Sequence, residues 1–131
     1  MERIVKNYHD DIQPLQNMNL LDFFNFIKKI PYTEDSQDEI LDRPKGLLNP
    51  KKWPGLDCKK KAILLASYLH NRGLKWSFVA VSEKLGFPIH HVYCLLKYGN
   101  KFFPLDATYN NSKFLKINPV FEAEIIGGNY D

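Results

Sequence analysis

At Gly73 the hydrophobic period of the chain changes, and this change constrains the fold more than any other feature of the sequence. Before it, from Cys58 to Arg72, apolar residues recur at Ala62, Leu65, Ala66 and Leu69, the spacing of an α-helix. Asp57 is a good N-cap for that helix and Gly73 a good stop. After it, Trp76, Phe78 and Ala80 alternate with Ser77, Val79 and Val81, the period of a β-strand. A break at Gly86 to Pro88 separates this strand from a second, His90 to Tyr98. The dipeptide Gly99-Asn100 then predicts a tight hairpin into a third strand, Lys101 to Leu105, which ends at Asp106. A helix feeding an antiparallel meander is an α+β arrangement, with N-terminal helices packed on a small sheet.

The rest of the chain carries weaker signals. Residues 1 to 19 lack clear periodicity and contain Pro14, which predicts an N-terminal arm. From Asn19, the run Leu20 to Ile27 places apolar side chains three and four apart, predicting an amphipathic helix that ends before Pro31. Residues 32 to 56 hold Pro44, Gly46, Pro50, Pro54 and Gly55 among charges, which predicts a long irregular connection with one short helical turn. At 131 residues the chain fits one domain: an arm over 1 to 19, a core over 20 to 110 and a C-terminal extension over 111 to 131. Gly127-Gly128 in that extension reads as a simple tail, with a processed end as the other reading.

Charge and cysteine usage exclude several classes of function. The net charge is +3, and Lys59, Lys60 and Lys61 form a short run of the kind that usually marks a solvated helix face. Trp53, Trp76 and the tyrosines could stack on bases, yet no nucleic-acid recognition motif is present, which argues against that partner. No apolar stretch is long enough to cross a bilayer. The start Met1-Glu2-Arg3-Ile4 lacks the apolar core of a signal peptide, so a cytoplasmic, reducing setting with two free thiols, Cys58 and Cys94, is expected.

The candidate chemistry begins at Cys58. A cysteine opening a helix sits where unpaired N–H groups and the helix dipole favour a thiolate, and the same N–H groups can face the oxygen of a tetrahedral intermediate. A thiol nucleophile needs a base within reach, and the base needs a partner that fixes its tautomer. His91 at the start of the second strand and Asp106 at the end of the third fall at the same edge of the predicted sheet. Trp53 is a candidate indole donor to an oxyanion. Asp57 is read first as the N-cap, and His90, which alternation turns away from His91, as a rim or auxiliary residue. Cys94 shares the face of His90 and reads as core, while His9 and His70 read as surface. The spacing of His and Cys matches no zinc motif, and no metal or cofactor is implied.

Three stretches also carry a resemblance: Asp57 to Ala66 around Cys58, then His91-Val92-Tyr93, then Pro104-Leu105-Asp106-Ala107-Thr108. In order, spacing and context they resemble the transglutaminase-like cysteine enzyme superfamily, within the papain-like group of folds. Upstream, Ile30-Pro31-Tyr32-Thr33-Glu34-Asp35 is similar to a segment preceding the cysteine in bacterial and phage transglutaminase-like cysteine proteinases. The resemblance implies a Cys58-His91-Asp106 triad performing acyl transfer through a thioester, as a peptidase or amidase acting on a peptide or protein substrate. It further implies a phage or prophage setting, with a viral or host protein as partner and a location in the bacterial or host cytoplasm or on a virion. Protein cross-linking, with an amine replacing water as acceptor, is the first alternative. A catalytically silent domain serving as a virion component or binding module is the second. The chain departs from the family pattern in placing lysines after Cys58 where acidic residues are common.

Overall fold

Asn19 starts the first well-signalled helix as a side-chain cap, its carboxamide oxygen accepting the Asp22 N–H at 2.8 Å. The helix it opens, Leu20–Lys29, buries Phe23, Phe24 and Ile27. The structure, a computed structural model, describes residues 1–34, 41–82, 91–108, 112–115 and 122–129. Within these, the helices are α1 (Glu2–Tyr8), a 3-10 helix (His9–Leu15), α2 (Leu20–Lys29), α3 (Pro44–Leu47) and α4 (Cys58–Asn71). The strands are β1 (Lys75–Ser82), β2 (His91–Tyr98), β3 (Lys101–Leu105) and β4 (Glu122–Gly128), and they form one antiparallel sheet in the order β3-β2-β1-β4. The architecture is α+β. Among the described residues, no helix is long and apolar enough to cross a membrane.

The helix α4 is the axis of the fold. Its residues from Lys60 to Leu69 are buried without a break, because β1 and β2 cover one side while α1, the 3-10 helix, α2 and α3 cover the others. A helix enclosed all round has no need of a polar stripe, which explains the apolar run Ala62 to Ala66. The helix ends at Gly73, whose φ of 73° is left-handed and open to glycine, and the Leu74 N–H turns back to the Leu69 carbonyl at 3.0 Å. Trp76, Phe78, Val92, Cys94, Leu96 and Leu105 present one face of the sheet to this helical core. Val79, Val81 and Tyr93 form a second buried cluster, with Leu95 packed against it.

Three expectations are corrected. Residues 1 to 15 are not an arm: Val5 and Ile12 are fully buried, and α1 and the 3-10 helix pack on α4. Pro14 lies inside the 3-10 helix, where its missing N–H costs one bond of a short element rather than breaking a long one. The lysines after Cys58 are not a solvated face, since Lys60 and Lys61 are each 1% exposed.

The third correction is the C-terminal segment, where Glu122–Gly128 pairs with β1 and makes β1 a central strand. A register shift between Phe78 and Val79 lets Gly128 lie against Ser77, and a Cβ on Gly128 would stand 2.5 Å from the Trp76 carbonyl oxygen. Beyond it, the Asn129 side chain accepts the Trp76 N–H at 2.7 Å and donates to the Leu74 carbonyl at 3.0 Å. The expected break at Gly86 to Pro88 lies outside the described residues.

Candidate active site

The start of α4 is fixed from both directions along the chain. Asp57, 3% exposed, caps the helix by accepting the Lys60 N–H at 2.9 Å. Just before it, Leu56 pairs with the segment after α2: its N–H donates to Pro31 at 2.9 Å and its carbonyl accepts from Thr33 at 3.2 Å. Cys58, 9% exposed, is therefore held at the first helical position by a cap on one side and a backbone bridge on the other.

His91 opens β2 at the same end of the sheet. Its Nε2 lies 2.6 Å from Asp106 Oδ2, and both side chains keep some contact with solvent, at 17% and 14% exposure. A carboxylate only accepts, so Nε2 donates in this bond and Nδ1 is left for the thiol. Cys58 is near enough to the ring to help raise the His91 value. Burial pushes the imidazole toward neutrality, but the hydrogen bonds and charges of Asp106 and Cys58 outweigh it and raise His91 to about 10. Near pH 7 the ring is therefore an imidazolium.

Asp106 is held in turn by Thr108, whose hydroxyl donates to Oδ1 at 2.5 Å and whose backbone N–H donates to the same oxygen at 3.2 Å. Each carboxylate oxygen thus has its own task, one toward the chain and one toward His91. Lys61, one turn past Cys58, sends its ammonium to the carbonyls of Ile30 at 2.6 Å, Thr108 at 2.8 Å and Ala107 at 3.3 Å. Burial pushes Lys61 down to about 8, and the charge of Asp106 opposes that shift. Thr108 and Lys61 were not among the residues singled out from the sequence. The Asp-x-Thr spacing at Asp106 was a readable signal for the first, because a hydroxyl two residues on can bond back to a carboxylate. Nothing local marks the second.

Trp53 stands elsewhere. Its one indole N–H donates to Asp42 Oδ2 at 3.0 Å, so this arrangement offers no indole donor to an oxyanion. Instead its ring lies 4.6 Å from the Lys60 ammonium, which also approaches Asp57 Oδ1 at 3.9 Å. Lys59 reaches the other Asp57 oxygen at 2.7 Å. Together Asp57 and Trp53 explain how two cations are tolerated at the start of a buried helix. His90 lies outside the described residues.

The remaining thiol and imidazoles belong to the frame. Cys94 is fully buried, and burial alone pushes its thiol far above the ordinary range. His70 and His9, expected at the surface, are engaged: His70 Nδ1 accepts from Trp76 Nε1 at 3.0 Å, His9 Nδ1 meets Asn71 Oδ1 at 3.1 Å, and their rings are 4.5 Å apart. Among the described residues, no group of three or more His, Cys, Asp and Glu side chains is arranged to hold a metal ion.

In comparisons with known proteins, no family model, curated protein or solved structure matches this chain.

Proposed function

We propose that the chain is a thiol-dependent acyl-transfer enzyme, a cysteine peptidase or amidase of transglutaminase-like, papain-like type. The observation that carries this reading is the 2.6 Å bond between His91 Nε2 and Asp106 Oδ2, which leaves Nδ1 for a thiol, with Cys58 at the start of the helix packed on the same sheet. The α4 helix bearing Cys58, packed on an antiparallel sheet whose rim bears His91 and Asp106, further supports it.

The Cys58 thiolate attacks the carbonyl carbon of an amide while the imidazolium stays hydrogen-bonded beside it. Negative charge develops on the substrate oxygen near the start of α4, where the Cys58 N–H has no intrahelical acceptor. His91 then gives its proton to the departing amine, leaving a thioester on Cys58 and a neutral ring. The neutral ring takes a proton from water, the hydroxide equivalent attacks the thioester, and the acid leaves as Cys58 regains its starting form. Asp106 accepts from Nε2 throughout, so that Nδ1 faces the reaction.

The test is alkylation by iodoacetamide at pH 6 and pH 8, read by mass spectrometry, for the wild type and Cys58→Ala, Cys94→Ala and His91→Ala. Rapid modification at Cys58 that persists at pH 6, is absent in Cys58→Ala and is lost in His91→Ala is the expected result. A Cys58 that reacts no faster than the same thiol in the urea-unfolded chain would refute the reading and leave a silent domain. With reactivity established, peptide hydrolysis and amine incorporation into a glutamine peptide distinguish a hydrolase from a cross-linking enzyme.

A further inference from the structure

Lys61 is costly to bury, and where its ammonium is placed is informative. A buried cation needs compensation, and Lys61 finds it in three backbone carbonyls from two separate parts of the chain. Ile30 closes α2, whereas Ala107 and Thr108 are the two residues after Asp106. The lysine itself stands on α4 three residues beyond Cys58. One side chain therefore ties the helix that carries the cysteine to the strand exit that carries the carboxylate.

The tie is continuous to the imidazole. Lys61 Nζ holds the Thr108 carbonyl, the Thr108 hydroxyl and N–H hold Asp106 Oδ1, and Asp106 Oδ2 holds His91 Nε2. Lys61 thus ties this exit to the helix through the Ala107 and Thr108 carbonyls. Hydrogen bonds to main-chain carbonyls set where a backbone segment runs, and a shift of about 1 Å in such a segment is enough to cost a catalytic group its geometry.

We propose that Lys61 is a positioning residue of the Cys58-His91-Asp106 site, holding the Ala107-Thr108 backbone so that Thr108 can aim the Asp106 carboxylate at His91. The inference rests on the reading of that triad as a thiol–imidazole site.

The experiment compares wild type, Lys61→Met and Ser67→Ala, the last removing a buried hydroxyl that donates along α4 to the Ile63 carbonyl at 2.8 Å. Two readouts are followed besides the melting temperature: the downfield Nε2–H resonance of His91 by NMR, and the rate of Cys58 alkylation at pH 6. Lys61→Met is expected to lose or broaden the resonance and to slow alkylation at least about five-fold, while Ser67→Ala keeps both at whatever stability it has. A folded Lys61→Met with both readouts at wild-type values overturns the inference. Should Lys61→Met not fold, Lys61→Gln carries the same comparison. The wild type adds a measurement that needs no variant: an ammonium held by three carbonyls exchanges slowly enough for a ¹⁵Nζ–H correlation, and a fast-exchanging Lys61 ammonium overturns the inference by itself. A wild type with neither the resonance nor elevated Cys58 reactivity defeats the triad reading instead, so the two failures are told apart.

Discussion

His91 and Asp106 meet at 2.6 Å without being cross-strand partners. The β2–β3 ladder pairs Cys94 with Leu105, so Asp106 lies just past its end, level with Tyr93, and reaches His91 diagonally on the same face. Diagonal neighbours on one face are far enough apart that only directed side chains touch, and here Thr108 directs the carboxylate.

This relationship predicts a stability profile. His91 is raised to about 10 in the folded chain, against about 6.5 for an unfolded histidine, so the folded state binds more protons between those values. The stabilisation is fully present below about pH 6.5 and is lost as pH rises through about 10. Asp106→Asn removes a main cause of the raised value, so its urea midpoint should fall less steeply from pH 6 to pH 10 than that of the wild type. Alkylation of Cys58 at pH 6 should slow as well. Parallel pH profiles for the two proteins would show that the carboxylate does not hold the ring.

A second profile has the opposite sign. Burial, with the positive charges of His9 and Lys6, holds His70 below the ordinary histidine value, and its Nδ1 accepts the Trp76 indole N–H. Protonation would fill that acceptor. The folded chain therefore binds fewer protons than the unfolded chain just below pH 6.5, and this contribution is lost on acidification. His70→Gln cannot titrate, and the loss of melting temperature between pH 7 and pH 5, followed by tryptophan fluorescence, should be smaller in it than in the wild type.

The pairing of β4 gives the third prediction. Gly128→Ala places a methyl group against the Trp76 carbonyl and the Ser77 backbone, neither of which can yield without moving β1, and should cost about 1–3 kcal/mol in urea unfolding. Gly127→Ala meets the Glu2 side chain instead, its nearest atom the carboxylate oxygen at 3.1 Å, and should cost much less because that end can swing away. Equal costs would show that the observed register of β4 is wrong.

What the sequence disclosed depended on how local the determinant was. Asn19, Asp57, Gly73 and Gly99 set their elements through bonds and dihedrals within a few residues, and the helices and hairpin they delimit were readable at once. The first fifteen residues and β4 were not, because each gains its structure from partners forty or more residues away: α1 needs α4 and β4 needs β1. The segment Glu122 to Gly128 shows no alternation and ends in two glycines, so nothing within it marks a strand. At the site, Cys58, His91 and Asp106 stood out because their chemistry is scarce in the chain. The lysine run misled, since the same three residues on a solvated face and on a buried one differ only in what lies opposite, here Asp57, Trp53 and three carbonyls.

The strand order also has a consequence for how the molecule is assembled. With β4 on its outer side, β1 obtains half of its ladder from the last described segment of the chain. During synthesis Cys58, His91 and Asp106 all emerge before that segment does, so the three reactive side chains can meet while one edge of β1 is still open. An open edge next to Trp76 and Phe78 is a template for pairing with another nascent chain. Closure by β4 therefore ends the interval in which self-association competes with folding, and a slow final phase governed by long-range pairing is the kinetic signature of this topology.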